Sequence, residues 1–237
     1  MGFAVNLEKT PLGYELKTSH ITAFFGGAAA TLADVKSAYP QFDFVRLKQI
    51  HSDAVIESKD SSLDYQVLGD AHFSRTKNLA LCVITADCVP VLFYHHGTDL
   101  ISGVHAGWRG VANRIIPKTL QQLVATGADA SELDVIIGPH IQKKSFEVGN
   151  DVRDQILSSL GPLSPAERAQ YFQSLEDGKS LVDLNLVVRT QLQQEGINLD
   201  RLFDLHIDTV TNNEFHSYRR DKEKSGRQIS FICRTSG

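Results

Sequence analysis

The stretch VITADCVPVLFYHHGTDLISGVHAGWRG (83–110) sets Cys88 in one apolar run and His105 at the start of the loop after a second. A thiol in such a place can be a nucleophile, a metal ligand, half of a disulfide or an inert core residue. The other cysteines, Cys82 and Cys233, make an odd total and no CxxC pair, which speaks against a disulfide framework and for a reducing compartment. Three of the nine histidines lie in suggestive stretches: LKQIHSD around His51, GVHAGWRG around His105 and IGPHI around His140. His51 and His105 each follow a strand-like run, and strand ends are where α/β sheets commonly build sites. Together His51, Cys88 and His105 would offer two imidazoles and a thiolate, the donor set of a catalytic zinc with one position open. They form no short local motif, so the thiol nucleophile and the plain buried cysteine remain open on spacing alone.

In HAGWRG, Gly107 and Gly110 permit tight backbone geometry at a strand-to-helix junction, and Arg109 adds a planar positive fork. A phosphate or carboxylate could dock there, helped by a helix N-terminus; the same residues also read as a surface loop with an arginine paired to an acid. SYRRDKEKSGR (217–227) holds five basic residues, of which Arg219 and Arg220 are candidates for function within what is usually a solvated face. His95 and His96 are adjacent, would point to opposite faces of a strand, and read as surface residues. His20, His72, His206 and His216 have no local motif and read as structural. A multicopper oxidase is not expected: the chain has no His-x-His pair, and its single methionine is Met1.

The elements that must position these residues are strands with helices between them. The runs 42–50, 79–84, 89–94, 100–106, 133–138 and 228–233 have strand length and β-branched or aromatic content, and most look buried on both faces. Val111, Ile115, Ile116, Leu120, Leu123 and Val124 recur at helical spacing up to Gly127, with Pro117 expected to kink that helix or start a second. Asp183 and Gly196 bracket another helix, and 151–175 reads as two helices split at GPLSPAE, with Ser164 as cap and Pro165 in the first turn. This order predicts a mixed α/β (α+β) fold with layered packing, in one domain spanning 1–237.

Composition sets the outer limits. At 237 residues, 42% hydrophobic and 22% charged, the chain can bury a sizeable core, and its net charge of −4 argues against non-specific nucleic-acid binding. The start MGFAVNLEKTPLGYEL lacks the basic and apolar regions of a signal peptide, Asn6 disfavours myristoylation, and no apolar run approaches membrane-helix length. The expectation is a cytoplasmic protein with no membrane partner.

The motifs QIH (49–51), GDA (69–71), TADCVPVL (85–92), HAGWRG (105–110), IGPHI (137–141), FEVG (146–149), SYRRD (217–221) and SGRQ (225–228) occur in this order over most of the chain. By these the chain resembles the YfiH family, also called the laccase-domain or polyphenol oxidoreductase family, which includes enzymes of purine nucleoside metabolism; TADC followed by HAGWRG is highly specific for it. The resemblance implies a layered α/β/β/α sandwich and a zinc held by His51, Cys88 and His105. It implies phosphorolysis of purine nucleosides (adenosine, inosine, guanosine, methylthioadenosine) to base and ribose 1-phosphate, with adenosine deamination as a side activity. A zinc with an open position lowers the pKa of bound water, which suits attack at the purine C6. Cys88, His105 and Asp87 would then be the catalytic group, and Arg109, Arg219, Arg220 and Gln49 the contacts to nucleoside and phosphate. Asp87 or Asp70 could orient a ligand or carry a proton, though a direct role for Asp87 beside Cys88 requires the strand to end or bend there.

Two departures stand out: Asp208-Thr209 where the family often has Cys-Thr, and a shortened stretch, FFGGAAATLADVKSAYPQFDFVRL, before QIH. Other readings remain: a cysteine hydrolase or deamidase using Cys88 and His105, since the fold resembles the catalytic domain of the cytotoxic necrotizing factors, or a non-catalytic metal-binding protein of cell-envelope quality control. The oligomeric state is open, with a monomer as the simplest case.

Overall fold

The structure, a computed structural model, describes residues 6–235. Two six-stranded sheets pack face to face with helices on both outer faces, the expected α/β/β/α layering. The first sheet runs, in spatial order, Leu7–Thr10, Gly13–Lys17, Ile21–Gly26, Gln228–Arg234, Leu79–Thr85 and Asp43–Arg46. The second runs Leu202–Asp204, Leu133–Ile137, Val89–His95, Leu100–Ala106, Ala71–Ser74 and Val55–Glu57. Both are mixed: Asp43–Arg46 lies parallel to Leu79–Thr85, and Val55–Glu57 parallel to Ala71–Ser74, among mostly antiparallel neighbours. A small third sheet joins Glu147–Gly149, Lys179–Val182 and Phe172–Ser174.

Alternation along the central strands explains their continuous apolar runs. From Val89–His95, Val89, Val91 and Phe93 pack toward the helices, while Leu92 and Tyr94 pack against the other sheet. From Leu79–Thr85, Leu79, Leu81 and Val83 face the inter-sheet core, whereas Ala80, Cys82 and Ile84 face the helix Leu32–Ala38. Both strands are thus covered on two faces. Between them the chain leaves one sheet and enters the other, so residues 86–88 form a bend at the end of the sandwich. Cys88 sits at that crossing, not within a strand.

The helices on the second sheet follow their caps. Asp183 accepts the Leu186 N–H at 2.9 Å to start Leu184–Gln194, and Gly196, at φ +90°, follows its end. Ser164 and Glu167 close a capping box on Pro165–Tyr171, with Pro165 in the first turn. Asn150–Ser158 precedes it, but 172–174 is a strand where a helix was expected.

Pro117 neither kinks nor opens a helix. The break comes earlier, at Arg114 with φ +64°, between Trp108–Ala112 and Ile115–Ala125, and Pro117 lies in the first turn of the latter. Contrary to expectation His95 is buried, with the backbone nitrogens of Thr98 and Asp129 each 3.1 Å from a ring nitrogen, of which the neutral ring uses one as acceptor. The shortened segment before QIH ends the strand Ile21–Gly26, forms the helix Leu32–Ala38, which covers the outer face of the first sheet, and supplies the strand Asp43–Arg46. No helix among the described residues is long and apolar enough to cross a membrane.

Candidate metal centre and its cavity

Three chain segments meet at the crossing between the sheets. The loop after Asp43–Arg46 brings His51, the bend at 86–88 brings Cys88, and the end of Leu100–Ala106 brings His105. One ligand atom from each lies within 4.8 Å of the others, and Cys88 Sγ is 3.9 Å from His51 Nε2. Two ligands of a tetrahedral zinc stand about 3.5 Å apart, given bonds of about 2.0–2.3 Å, so the donors are gathered near the spacing one small ion needs. Gly107 makes the approach possible. A Cβ there would lie 2.9 Å from His51 Cδ2 and 3.1 Å from Cys88 Sγ, so a larger residue would push the ligands aside.

Asp70 organises two of the three donors. Its buried carboxylate accepts the backbone N–H groups of Ile50 (3.2 Å), His51 (3.0 Å) and Ser52 (2.6 Å), together with the Ser52 hydroxyl (2.7 Å). This wraps the His51 loop around a single anion and holds His51 itself at φ +58°. The same carboxylate accepts from His105 Nδ1 at 2.8 Å. An acceptor on Nδ1 leaves the Nε2 lone pair free toward Cys88, the tautomer a metal ligand needs.

The electrostatics favour a Cys88 thiolate beside a protonated His105, whose Nε2 proton a metal would displace. Burial raises the Asp70 pKa, but the hydrogen bonds from His105 and Ser52 outweigh it and hold the carboxyl at about 2. Burial also opposes the Cys88 thiolate, yet the charge of His105 and hydrogen bonds from both histidines pull the thiol below its ordinary range. His105 is raised in return: burial disfavours its charge, and Cys88 and Asp70 prevail.

The donors border a cavity of about 1020 Å³. Ile84, Ile141, Phe146 and Leu184 give it apolar surface, and Tyr65 and Trp108 add aromatic edges. Arg109 lines it, exposed, with its guanidinium carbon 4.7 Å from the Trp108 ring centre. The helix behind Arg109 spans only Trp108–Ala112, so its dipole adds little and Arg109 itself carries the case for an anion. Arg219 lines the cavity too, anchored by donation to the carbonyls of Glu147 (2.7 Å) and Ser145 (3.4 Å).

Other candidates are engaged by the protein. Gln49 borders the cavity, but its amide donates to the Ile84 carbonyl at 2.7 Å and accepts the Ile84 N–H at 2.8 Å. Arg220 donates to the carbonyls of Thr209, Val210 and Phe215 and is not among the lining residues. Asp87 lines the cavity with both carboxylate oxygens accepting, from the Thr209 hydroxyl and the Arg219 N–H. His140 is a buried strut: Nδ1 donates to the Gly138 carbonyl, and Nε2 accepts from Gln142 and Asn185. The departing Asp208 accepts from the Ser145 hydroxyl at 2.6 Å and steadies the loop after His140. Sequence reasoning passed over Tyr65, Lys222 and Arg227 in the lining. Tyr65 has φ +56°, rare for a bulky side chain, and nothing in SSLDYQVLG signals it.

Residues 29–235 match the family model described as multi-copper polyphenol oxidoreductase laccase. The chain belongs to this family, the YfiH family. The purine nucleoside phosphorylase YfiH of Escherichia coli is 34% identical over 190 residues, which cover 79% of this chain and 72% of that protein. A purine nucleoside phosphorylase of Clostridium acetobutylicum is 32% identical over 208 residues, 86% of this chain and 82% of its own length. The crystal structure of Bacillus licheniformis hypothetical protein YfiH matches at a TM-score of 0.85, with 24% identity, over 96% of this chain and 98% of that one, a likeness of fold. Neisseria meningitidis protein NMB0706 matches at 0.76, with 26% identity, over 98% and 100%.

Proposed function

We propose that this chain is a zinc-dependent purine nucleoside phosphorylase, releasing base and ribose 1-phosphate, with adenosine deamination as a side activity. The observation that carries the reading is the convergence of His51, Cys88 and His105 on the wall of a cavity that also presents Arg109 and Arg219. Relatives named purine nucleoside phosphorylase support it. Two imidazoles and a thiolate suit zinc, and three protein donors leave a fourth position for water or substrate. Zinc, when bound, supplies Lewis acidity at that position.

The chain's own residues do the rest. Asp70 holds His105 in the ligating tautomer. Phe146 and the aliphatic side chains around it offer a dry surface for a flat purine. Arg109, with Arg219 elsewhere in the lining, holds the phosphate against C1′ as positive charge develops on the sugar. Gln49 and Arg220 act as braces of this frame through the backbone atoms they bind. We read the chain as one domain acting on nucleosides and phosphate in the cytoplasm.

A second reading has its own observation. Asp70, His105 and Cys88 form an acid, imidazole and thiol series of the kind that activates a cysteine nucleophile. It leaves His51, 3.9 Å from the sulfur, without a role.

The deciding experiment is metal analysis of protein purified without added metal, followed by assay of adenosine, inosine and methylthioadenosine with and without phosphate. One zinc per chain and phosphate-dependent base release are expected. Ribose 1-phosphate formation in metal-free protein would remove zinc from the mechanism, and thiol-dependent hydrolysis in its place would favour the second reading. Arg109→Lys keeps the charge but loses the fork, and should raise the phosphate KM or lower turnover about tenfold, a loss of about 1.4 kcal/mol, with deamination less affected. Equal loss of both reactions would make Arg109 a structural residue.

A further inference from the structure

Asp87 stands one position before the donor Cys88, in the bend that carries the chain between the two sheets. Its φ is +86°, a region that disfavours any residue with a Cβ, and its side chain is buried. What holds it there is a set of contacts to segments far away in sequence. One carboxylate oxygen accepts the Thr209 hydroxyl at 2.7 Å, and the other accepts the Arg219 backbone N–H at 2.6 Å. Its own carbonyl accepts the Ile141 N–H at 2.9 Å. Ile141 and Arg219 both line the cavity, as do Tyr218 and Lys222 on either side of Arg219. Arg220 closes the circuit by donating to the Thr209 carbonyl at 2.9 Å.

We propose that Asp87 is a positioning residue: it locks the short helix Tyr218–Asp221 and the segment at Ile141 to the bend that presents Cys88, and so sets the width of the cavity in which the nucleoside is held. Its role in catalysis rests on the phosphorylase reading. Both oxygens face protein donors, so the carboxylate is engaged in holding these segments together. The contacts are charge-assisted and buried, the class whose loss has large effects.

The test uses the metal-loaded full chain with Asp87→Asn, Thr209→Val and Thr209→Ser. An asparagine keeps one acceptor oxygen and loses the other, valine removes the hydroxyl donor, and serine retains it. Four quantities are read: metal per chain, nucleoside KM and kcat, the pH–rate profile, and the rate of tryptic cleavage within 219–224. Asp87→Asn and Thr209→Val should keep their metal, raise nucleoside KM about tenfold with kcat changed less than about threefold, and leave the pH profile in shape. They should also be cut faster in this segment, with Thr209→Ser restoring wild-type values. A collapse of kcat with KM unchanged and a limb of the pH profile lost in Asp87→Asn would make Asp87 a proton carrier and overturn the proposal. Unchanged KM and unchanged cleavage would overturn it as well. Should wild-type protein show no phosphorolysis, that failure belongs to the phosphorylase reading, and cleavage at full metal content alone decides the latch. Should Asp87→Asn fail to fold, the Thr209 pair decides by the same measurements.

Discussion

Cys82 and Cys88 belong to one strand and the bend that ends it, yet they inhabit opposite chemical worlds. Cys82 points to the outer face of the first sheet, 2% exposed, among Phe44, Phe231 and the helix Leu32–Ala38. Burial there pushes its thiol far up, and Cys233 on the neighbouring strand is pushed to about 12 for the same reason. Cys88 has left the sheet, faces two imidazoles and is pulled down. Two buried histidines repeat the contrast. His72, with the Ser58 hydroxyl on its ring, is pushed down to about 4 by burial, whereas His105, on Asp70 and Cys88, is raised. Burial alone gives an inert side chain; burial beside a counter-charge gives a reactive one.

The largest test of this contrast is a pair of serine variants. Cys88→Ser should lose its metal and, with it, more than about 100-fold of phosphorolysis, since even outer contacts of a metal site are worth about 10–100-fold. Cys82→Ser should keep full metal and activity and lose about 1–3 kcal/mol of stability, from a hydroxyl buried without a good partner. Metal analysis with denaturant melts checks both, and full zinc in Cys88→Ser would break the comparison.

A smaller effect is expected at Gly107. The Cβ of Gly107→Ala would press on His51 Cδ2 and Cys88 Sγ, so metal affinity should fall about tenfold, below the loss of a ligand and within the range of supporting contacts. Gly103→Ala, whose Cβ would meet Val83 at 3.0 Å in the inter-sheet core, should lower stability instead and leave the metal in place. Competition with a chelator separates the two; equal metal affinity in both variants would show that the ligands shift freely.

The last effect concerns His72 and emerges only on acidification. Its folded pKa, about 4, lies below the unfolded value near 6.5, so the unfolded chain binds the proton first. Stability should therefore be fully present above about pH 6.5 and fall as the pH drops toward 4, by up to about 3 kcal/mol from this residue. In His72→Gln the melting temperature should change less steeply over that window, whatever its absolute value. An identical slope would mean that His72 is not shielded.

Much of the frame was legible in the residues. The double-faced runs 79–84 and 89–94 became central strands, and the caps at Ser164 and Asp183 set their helices, because periodicity and capping act over a few residues. Ala71–Ser74 and the first three strands were not read, and residues 172–174 were read as helix, because tertiary pairing and not local pattern places those segments in sheets. The burial of His95 is not legible in the sequence, because adjacency says only that neighbours diverge, not that one of them finds the Asp129 amide inside.

For the site, the residue types offered His51, Cys88 and His105 as one of several readings of the thiol, and it was the motif order that pointed to the family and to a metal. What sequence could not decide is which polar groups face the cavity and which are already satisfied. Gln49, Arg220 and Asp87 carry the right chemistry for substrate, but their partners are the backbone of Ile84, the carbonyls around Thr209, and the Thr209 and Arg219 donors. Hydrogen bonds saturate, and a buried polar group must find its partner wherever the folded chain supplies one. Residue identity fixes what a side chain can do; only the crossing of the chain between two sheets decided that Cys88, of the three cysteines, would meet two histidines and do it.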